Sequence, residues 1–280
     1  MLTARTILNL FRGTQISLFR TYATNTKLVE ITKDNKDIAV ISMAHPPVNS
    51  LNKELLNALN MSLMDVQKEK YRGIILTSSL PSVFSAGLDI KEMYNRTEKQ
   101  LTEYWQTLQD TWLALYNLKI PVAAAINGAC PAGGCLLAMS CEYRVLVEGK
   151  HTIGLNETRL GIIAPEWFRS LYVDIIGYRR AEIALLKGTL FHPTEALKIG
   201  LVDELASDKA NAIKKCKDYI ESFKLIPPKG RQSTKMELRK RNSLWLKENR
   251  AVDLNQFVTF SQLPEVQAGL KSYIESLKKK

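Results

Sequence analysis

The sequence predicts an α/β fold that ends in a run of helices, and three observations carry that reading. Short β-branched or small apolar runs alternate with helical stripes through the first half. After about residue 165 the strand signals give way to successive helices. The chain has 280 residues, 45% hydrophobic and 24% charged, which excludes a disordered, collagen-like or disulfide-stapled molecule. A chain of this length can bury a large core. No apolar run reaches the roughly 18 residues of a membrane-spanning helix.

Residues 37–43 are apolar and β-branched and predict a strand, which Pro46-Pro47 ends. Leu55, Leu56, Leu59, Leu63 and Val66 recur at helical spacing, so 53–69 is a helix. Residues 73–77 are apolar on both faces and predict a buried strand. The Ser, Pro and Gly of 78–87 predict a loop. Leu101, Tyr104, Trp105, Leu108, Trp112 and Leu115 form a helical stripe. The small residues of 122–126 predict a tightly packed strand, and Gly128 to Gly134 a turn into a short apolar helix, 135–140. A further strand is expected at 143–147. Helices are expected at 166–176, 179–186, 194–199, 208–223, 232–248 and 252–278, punctuated by Gly177, Gly188, Gly200 and Pro227-Pro228. Weak strand-strand-helix echoes are compatible with an internally repeated fold.

The net formal charge is +11, from 39 Lys and Arg against 28 Asp and Glu. Arg5, Arg12, Arg20 and Lys27 supply four of those charges before the first acid, Glu30. Such an acid-free, Arg-spaced, Ser- and Thr-containing, loosely amphipathic start has the composition of a mitochondrial presequence. Residues 1–26 are therefore set aside from the fold, and the matrix is the expected compartment. The remaining positive balance suits anionic small molecules, acidic surfaces or nucleic acid equally. Cys130, Cys135, Cys141 and Cys216 lack zinc-site spacing, and the three His residues are scattered, so no metal site is expected.

Three segments could carry chemistry. In Phe84-Ser85-Ala86-Gly87-Leu88-Asp89, the glycine permits a sharp turn whose N–H groups could face a ligand; a plain strand-to-helix turn capped by Asp89 explains it equally. Gly133-Gly134 opens a helix and offers unpaired N–H donors at its positive end, or simply allows close packing. It matches neither a phosphate-binding P-loop nor the three-glycine dinucleotide fingerprint. Glu157 sits in largely apolar surroundings in sequence; a buried Glu has a raised pKa and can shuttle protons, whereas an exposed one is a solvated loop residue.

Taken together and in order, Phe-Ser-Ala-Gly-Leu-Asp, Ile-Asn-Gly-Ala-Cys-Pro-Ala-Gly-Gly-Cys and Gly-Leu-Asn-Glu-Thr-Arg-Leu-Gly-Ile-Ile-Ala-Pro resemble the crotonase (enoyl-CoA hydratase/isomerase) superfamily. The resemblance runs from about residue 28 to the C-terminus. Leu-Asn-Glu-Thr and Gly-Ile-Ile-Ala-Pro are most similar to the mitochondrial Δ3,Δ2-enoyl-CoA isomerases. It implies a spiral of strand-strand-helix repeats over 27–205, and a helical region over 206–280 that builds trimers or dimers of trimers. It implies an oxyanion hole from the N–H groups of Ala86 and Gly133, with Ser85, Gly87, Leu88, Asp89 and Asn156 around the substrate. The implied substrate is an unsaturated fatty acyl-CoA of β-oxidation, with no metal or redox cofactor and no nucleic acid. Hydratases of the family carry two carboxylates. Here the first position is Leu136 and the second is Glu157. One carboxylate is enough to move a proton between two carbons, so the resemblance favours isomerisation, with Glu157 as the shuttle. Leu136, Ile162, Trp167 and Phe168 are expected to wall the site, and Glu166 to be structural. Lys53 and Arg239-Lys240-Arg241 are options for the CoA phosphates. A hydratase or other acyl-CoA enzyme of the same superfamily, an RNA-binding protein on the same scaffold and a catalytically dead subunit are the competing readings.

Overall fold

A computed structural model describes residues 20–22 and 28–278. The expected presequence, 1–26, lies outside the described residues except for 20–22. Those three form strand β1 (Arg20–Tyr22). Next come β2 (Val29–Lys33), β3 (Ile38–Met43), α1 (Lys53–Lys68), β4 (Gly73–Ser78), β5 (Ser82–Val83) and α2 (Glu98–Tyr116). β6 (Val122–Ile126), β7 (Gly128–Pro131), α3 (Gly133–Ser140), β8 (Tyr143–Val147), β9 (Ile153–Gly154) and α4 (Glu166–Ile176) follow. The chain continues through α5 (Tyr178–Lys187), α6 (Pro193–Lys198), β10 (Glu204–Ala206), α7 (Lys209–Glu221), α8 (Pro228–Ser261) and α9 (Pro264–Lys278).

Two sheets result. The larger has the order β1-β2-β3-β4-β6-β8-β10, and the smaller β5-β7-β9. β1, β2 and β3 pair antiparallel, while β3, β4, β6, β8 and β10 run parallel. Three times in succession a strand of the large sheet is followed by a short strand of the small sheet and then a helix: β4-β5-α2, β6-β7-α3 and β8-β9-α4. The weak repeat legible in the sequence is this unit. The small sheet stacks its three short strands in register, so the turns that follow them converge on one edge.

β2 departs from expectation, since no strand was expected before residue 37. Val29 and Ile31 are buried and Glu30 is exposed, a period-2 pattern too short to stand out. The expected break between 248 and 252 is also absent: α8 runs unbroken through it. Asn249-Arg250-Ala251 contains no helix breaker, and α8 stops instead at Ser261, just ahead of Pro264, which cannot continue a helix and opens α9. α8 docks partly through charge. Lys235, buried in the protein, places Nζ 2.6 Å from Glu142, which also pairs with Arg231.

The larger of two hydrophobic clusters extends from Val29 to Leu270, so the C-terminal helices share it with the sheets; the smaller packs α7 against the large sheet through Ile75, Val145, Cys216 and Ile220. α2 crosses its centre with Trp105 and Trp112 fully buried. Its start is fixed by a capping box in which Thr97 and Gln100 satisfy each other's backbone N–H. Thr97→Ala should lower stability by about 1 kcal/mol, read as a lower urea midpoint at unchanged slope.

Candidate active site

The turns after β5, β7 and β9 meet at one cavity. The loop before α1 locks the first of them. Asn49, fully buried at φ +48°, donates through Nδ2 to Ser78 Oγ at 2.7 Å and to the Phe84 carbonyl at 3.0 Å. Its own carbonyl accepts the Ser85 hydroxyl at 2.7 Å. Ser85 Oγ in turn accepts the Gly87 N–H at 3.1 Å, and the Gly87 carbonyl accepts the Leu51 N–H. Ser85 and Gly87 are thus buried pins of the turn rather than groups facing a ligand. Asp89 caps the short helix 90–92 by accepting the Lys91 N–H, which is the capping alternative drawn from the sequence.

The second turn opens α3. Ala132 at φ +49° aims the chain so that the first residues of α3 face the Gly87–Leu88 turn. A Cβ built on Gly87 would lie 3.1 Å from the Gly133 nitrogen, and one on Gly133 would lie 3.2 Å from the Leu88 nitrogen. Among the described residues, neither the Leu88 N–H nor the Gly133 N–H has an acceptor. Two unpaired amides therefore face a common space at the positive end of a helix.

This corrects one expected donor. The Ala86 N–H already donates to the Val48 carbonyl at 2.9 Å, so it has no free hydrogen to offer. Alternation along the turn explains it: Ala86 faces the 45–51 loop, and the free amide comes two residues later, at Leu88.

The third turn carries Glu157. The Ala132 N–H bonds the Gly154 carbonyl at 2.8 Å, which seats the residues after β9 beside the start of α3. Glu157 then begins a single 3-10 turn, 157–160, that Gly161 closes in the left-handed conformation. Its side chain is buried, and neither carboxylate oxygen has a hydrogen-bond partner in the protein. Burial pushes its pKa up to about 7. The turn is held from outside by the Thr158 hydroxyl on the Leu185 carbonyl.

Ala86, Leu88, Asn156 and Glu157 line one cavity of about 650 Å³, with Ala132 beside Gly133 at its edge. Ile162 and Phe168 line it as expected, but Leu136 and Trp167 do not; both are buried behind the wall. The rival acid Glu166 also lines it. Burial alone would raise its pKa, but hydrogen bonds from Ser170 and Arg169 outweigh that and hold it below the usual range. Arg169 lies 2.6 Å from it. Glu157 is thus the acid without such a counterpart.

Much of the far wall was missed by sequence reasoning. It comes from α8 and α9 and includes Asp253, Phe257, Phe260 and Tyr273. Within the helix expected at 252–278, Phe257 and Phe260 are the local signal for it, and they read equally as core. The basic candidates do not gather here. Lys53 pairs with Glu103 at 2.7 Å, Arg239 is bonded to the Tyr116 and Ser140 carbonyls, Lys240 pairs with Glu237, and Arg241 with Asp174.

Comparison with known proteins gives a consistent picture. A family model described as enoyl-CoA hydratase/isomerase matches residues 33–280. The mouse mitochondrial enoyl-CoA delta isomerase 1 is 45% identical over 264 residues, covering 93% of this chain and 90% of that protein. Its human counterpart is 44% identical over 243 residues, 86% of this chain and 80% of that one. The crystal structure of human mitochondrial delta3-delta2-enoyl-CoA isomerase superposes with a TM-score of 0.87 at 42% identity, covering 90% of this chain and 98% of that one. An enoyl-CoA hydratase from Bacillus halodurans shares the fold, with a TM-score of 0.80 at 23% identity over 88% of this chain and 99% of that one.

Proposed function

The chain belongs to the enoyl-CoA hydratase/isomerase family, and from that premise we propose that it is a Δ3,Δ2-enoyl-CoA isomerase working by a single-carboxylate proton shuttle. The observation that carries the reading is Glu157: a buried carboxylate without a partner, lining the same cavity as Leu88, whose backbone amide is unpaired, with the unpaired Gly133 amide at the cavity's edge. The relatives named as isomerases support the same activity.

The thioester oxygen of a 3-enoyl-CoA sits between the N–H groups of Leu88 and Gly133. The Glu157 carboxylate takes a proton from C2, the carbon next to the thioester. The C2–H electron pair flows into the carbonyl, leaving a dienolate whose negative oxygen the two amides hold. Each such donor is worth on the order of 10²–10³ in rate. Glu157, now neutral, returns the same proton to C4, and the double bond comes to rest between C2 and C3. A pKa of about 7 suits this role, because one group must be base and then acid at the same pH. The apolar wall keeps water from the dienolate.

Isomerisation is favoured over hydration because hydration needs a water held and activated by a second acid. Leu136 is fully buried in α3, and Glu166 is tied to Arg169 and Ser170. Turnover of 3-hexenoyl-CoA should therefore exceed hydration of crotonyl-CoA. A sharper test follows from the single carrier. With substrate deuterated at C2, part of the label should reappear at C4 of the product. A product whose C4 label comes wholly from solvent, at every time point, would count against one shuttling group.

A mitochondrial matrix location rests on the composition of the N-terminus and on the mitochondrial names of the relatives. A homotrimer or dimer of trimers rests on the family resemblance, and exposed Leu186, Leu225 and Leu238 offer apolar surface for it.

A further inference from the structure

The lining residues of the cavity differ in burial. Ile163 and Tyr273 are 58% and 39% exposed, whereas Trp105 and Asp253 are 2% and 4% exposed and belong, with Met93 and Phe168, to its buried floor. A carboxylate in the floor of an apolar cavity is unusual, since burying a charge costs free energy unless it is hydrogen-bonded. Asp253 is fully bonded, and by neutral donors only. Its Oδ2 accepts the Trp105 Nε1–H and a Gln109 Nε2–H, both at 2.7 Å, and its Oδ1 accepts the Trp167 Nε1–H at 3.1 Å. With both oxygens engaged, it offers no free base to a substrate.

Those bonds set the position of something else. Asp253 lies one helical turn before Phe257 on α8. Fixing Asp253 to α2 and α4 fixes the register of α8, and Phe257 then lies flat on Trp105, with centroids 3.8 Å apart and planes 9° apart. Trp167 meets Trp105 edge-on at 6.0 Å. Trp105 and Phe257 both line the cavity. The floor therefore carries a packed aromatic plate, in which Trp105 is held by its bond to Asp253 and Phe257 by its stacking on Trp105.

Resting on the isomerase reading, we propose that the Trp105–Phe257 stack is the chain-length stop of the acyl site, and that Asp253 is the positioning residue that keeps the stop in place. The substrate class follows: 3-enoyl-CoAs whose acyl tail ends at or before the plate, with longer tails disfavoured. Phe257 acts as a specificity-determining residue by contact, and Asp253 acts only through the two rings.

The test is binding of saturated acyl-CoAs, which needs no turnover. Affinities for hexanoyl-CoA and dodecanoyl-CoA are measured by calorimetry on wild type, Phe257→Ala and Asp253→Asn, with thermal melts to confirm folding. Removing the Phe257 ring should raise the dodecanoyl-to-hexanoyl affinity ratio by about tenfold, the scale of one or two newly buried methylenes. Asp253→Asn turns an amide N–H toward an indole N–H and should move the ratio the same way. A purely structural Asp253 would lower stability and leave the ratio alone. Phe257→Leu keeps the floor filled and provides the folded control should Asp253→Asn not fold. A ratio unchanged in folded Phe257→Ala overturns the proposal. If Phe257→Ala leaves the ratio unchanged while wild type turns over 3-hexenoyl-CoA, the isomerase reading stands without the stop; wild type that binds no acyl-CoA removes both.

Discussion

Glu157→Gln is expected to lower isomerase kcat by about 10²–10⁴-fold and, at the same time, to stabilise the protein at alkaline pH. The amide keeps the size and shape of the side chain but can neither take the C2 proton nor return it. The stability gain follows from burial. An unfolded Glu releases its proton near 4.5, whereas folded Glu157 holds it to about 7. Below 4.5 both states are protonated and the acid has no pH-dependent effect. As pH rises from there, the unfolded chain sheds its proton first, and stability drains away until the folded group also ionises. Above about 7 the loss is complete, at roughly 3 kcal/mol. Gln has no proton to shed, so the variant should match wild type at pH 4 and melt higher at pH 8. The same ionisation governs rate: wild-type kcat/KM should fall tenfold per pH unit below about 7, since the neutral acid cannot begin the reaction. Undiminished turnover in the variant, or identical melting at pH 8, would contradict the assignment.

The second large effect is expected at Gly133→Ala. The added methyl would lie 3.0 Å from Leu51 Cδ1 and 3.1 Å from Leu88 Cδ2, flexible tips that can give way. It would also lie 3.2 Å from the Leu88 nitrogen, which is main chain and is the partner amide. Relief comes by spreading the two turns, and donors aimed at one atom lose that aim. A fall in kcat of about 10²-fold is expected, with KM little changed, because the amides grip the developing charge more than the ground-state carbonyl. Stability should change little, since Ala suits a helix start better than Gly does. A variant with near-normal kcat would mean that the thioester oxygen is held elsewhere. Single-turnover measurement separates this from slow product release.

Long periodic elements were legible from sequence, and the reasons for the failures are local. α1, α2 and α4 announce themselves through apolar stripes, and β3, β4, β6 and β8 through β-branched or small runs. β5 and β9 are two residues long, below any detectable period, yet they align the three turns of the site. Glu157, Gly133 and the Leu88 turn stand out in the sequence because each lies in a distinctive local motif. Ala86 and Leu88 could not be told apart, because the outcome depends on the Val48 carbonyl, which reaches the turn from a distant loop. Asp253 carries no local signature: one acid on a long polar helix reads as solvated until α8 is laid against α2 and α4. The division at residue 205 likewise reflects a change in sequence character, not a break in the core.

That far wall has a bearing on biosynthesis. The chain leaves the ribosome from its N-terminus, so the two glycine turns and the acid emerge well before α8 and α9. Those last helices supply much of the wall around the acid. The groups that react are thus made well before the helices that complete their wall.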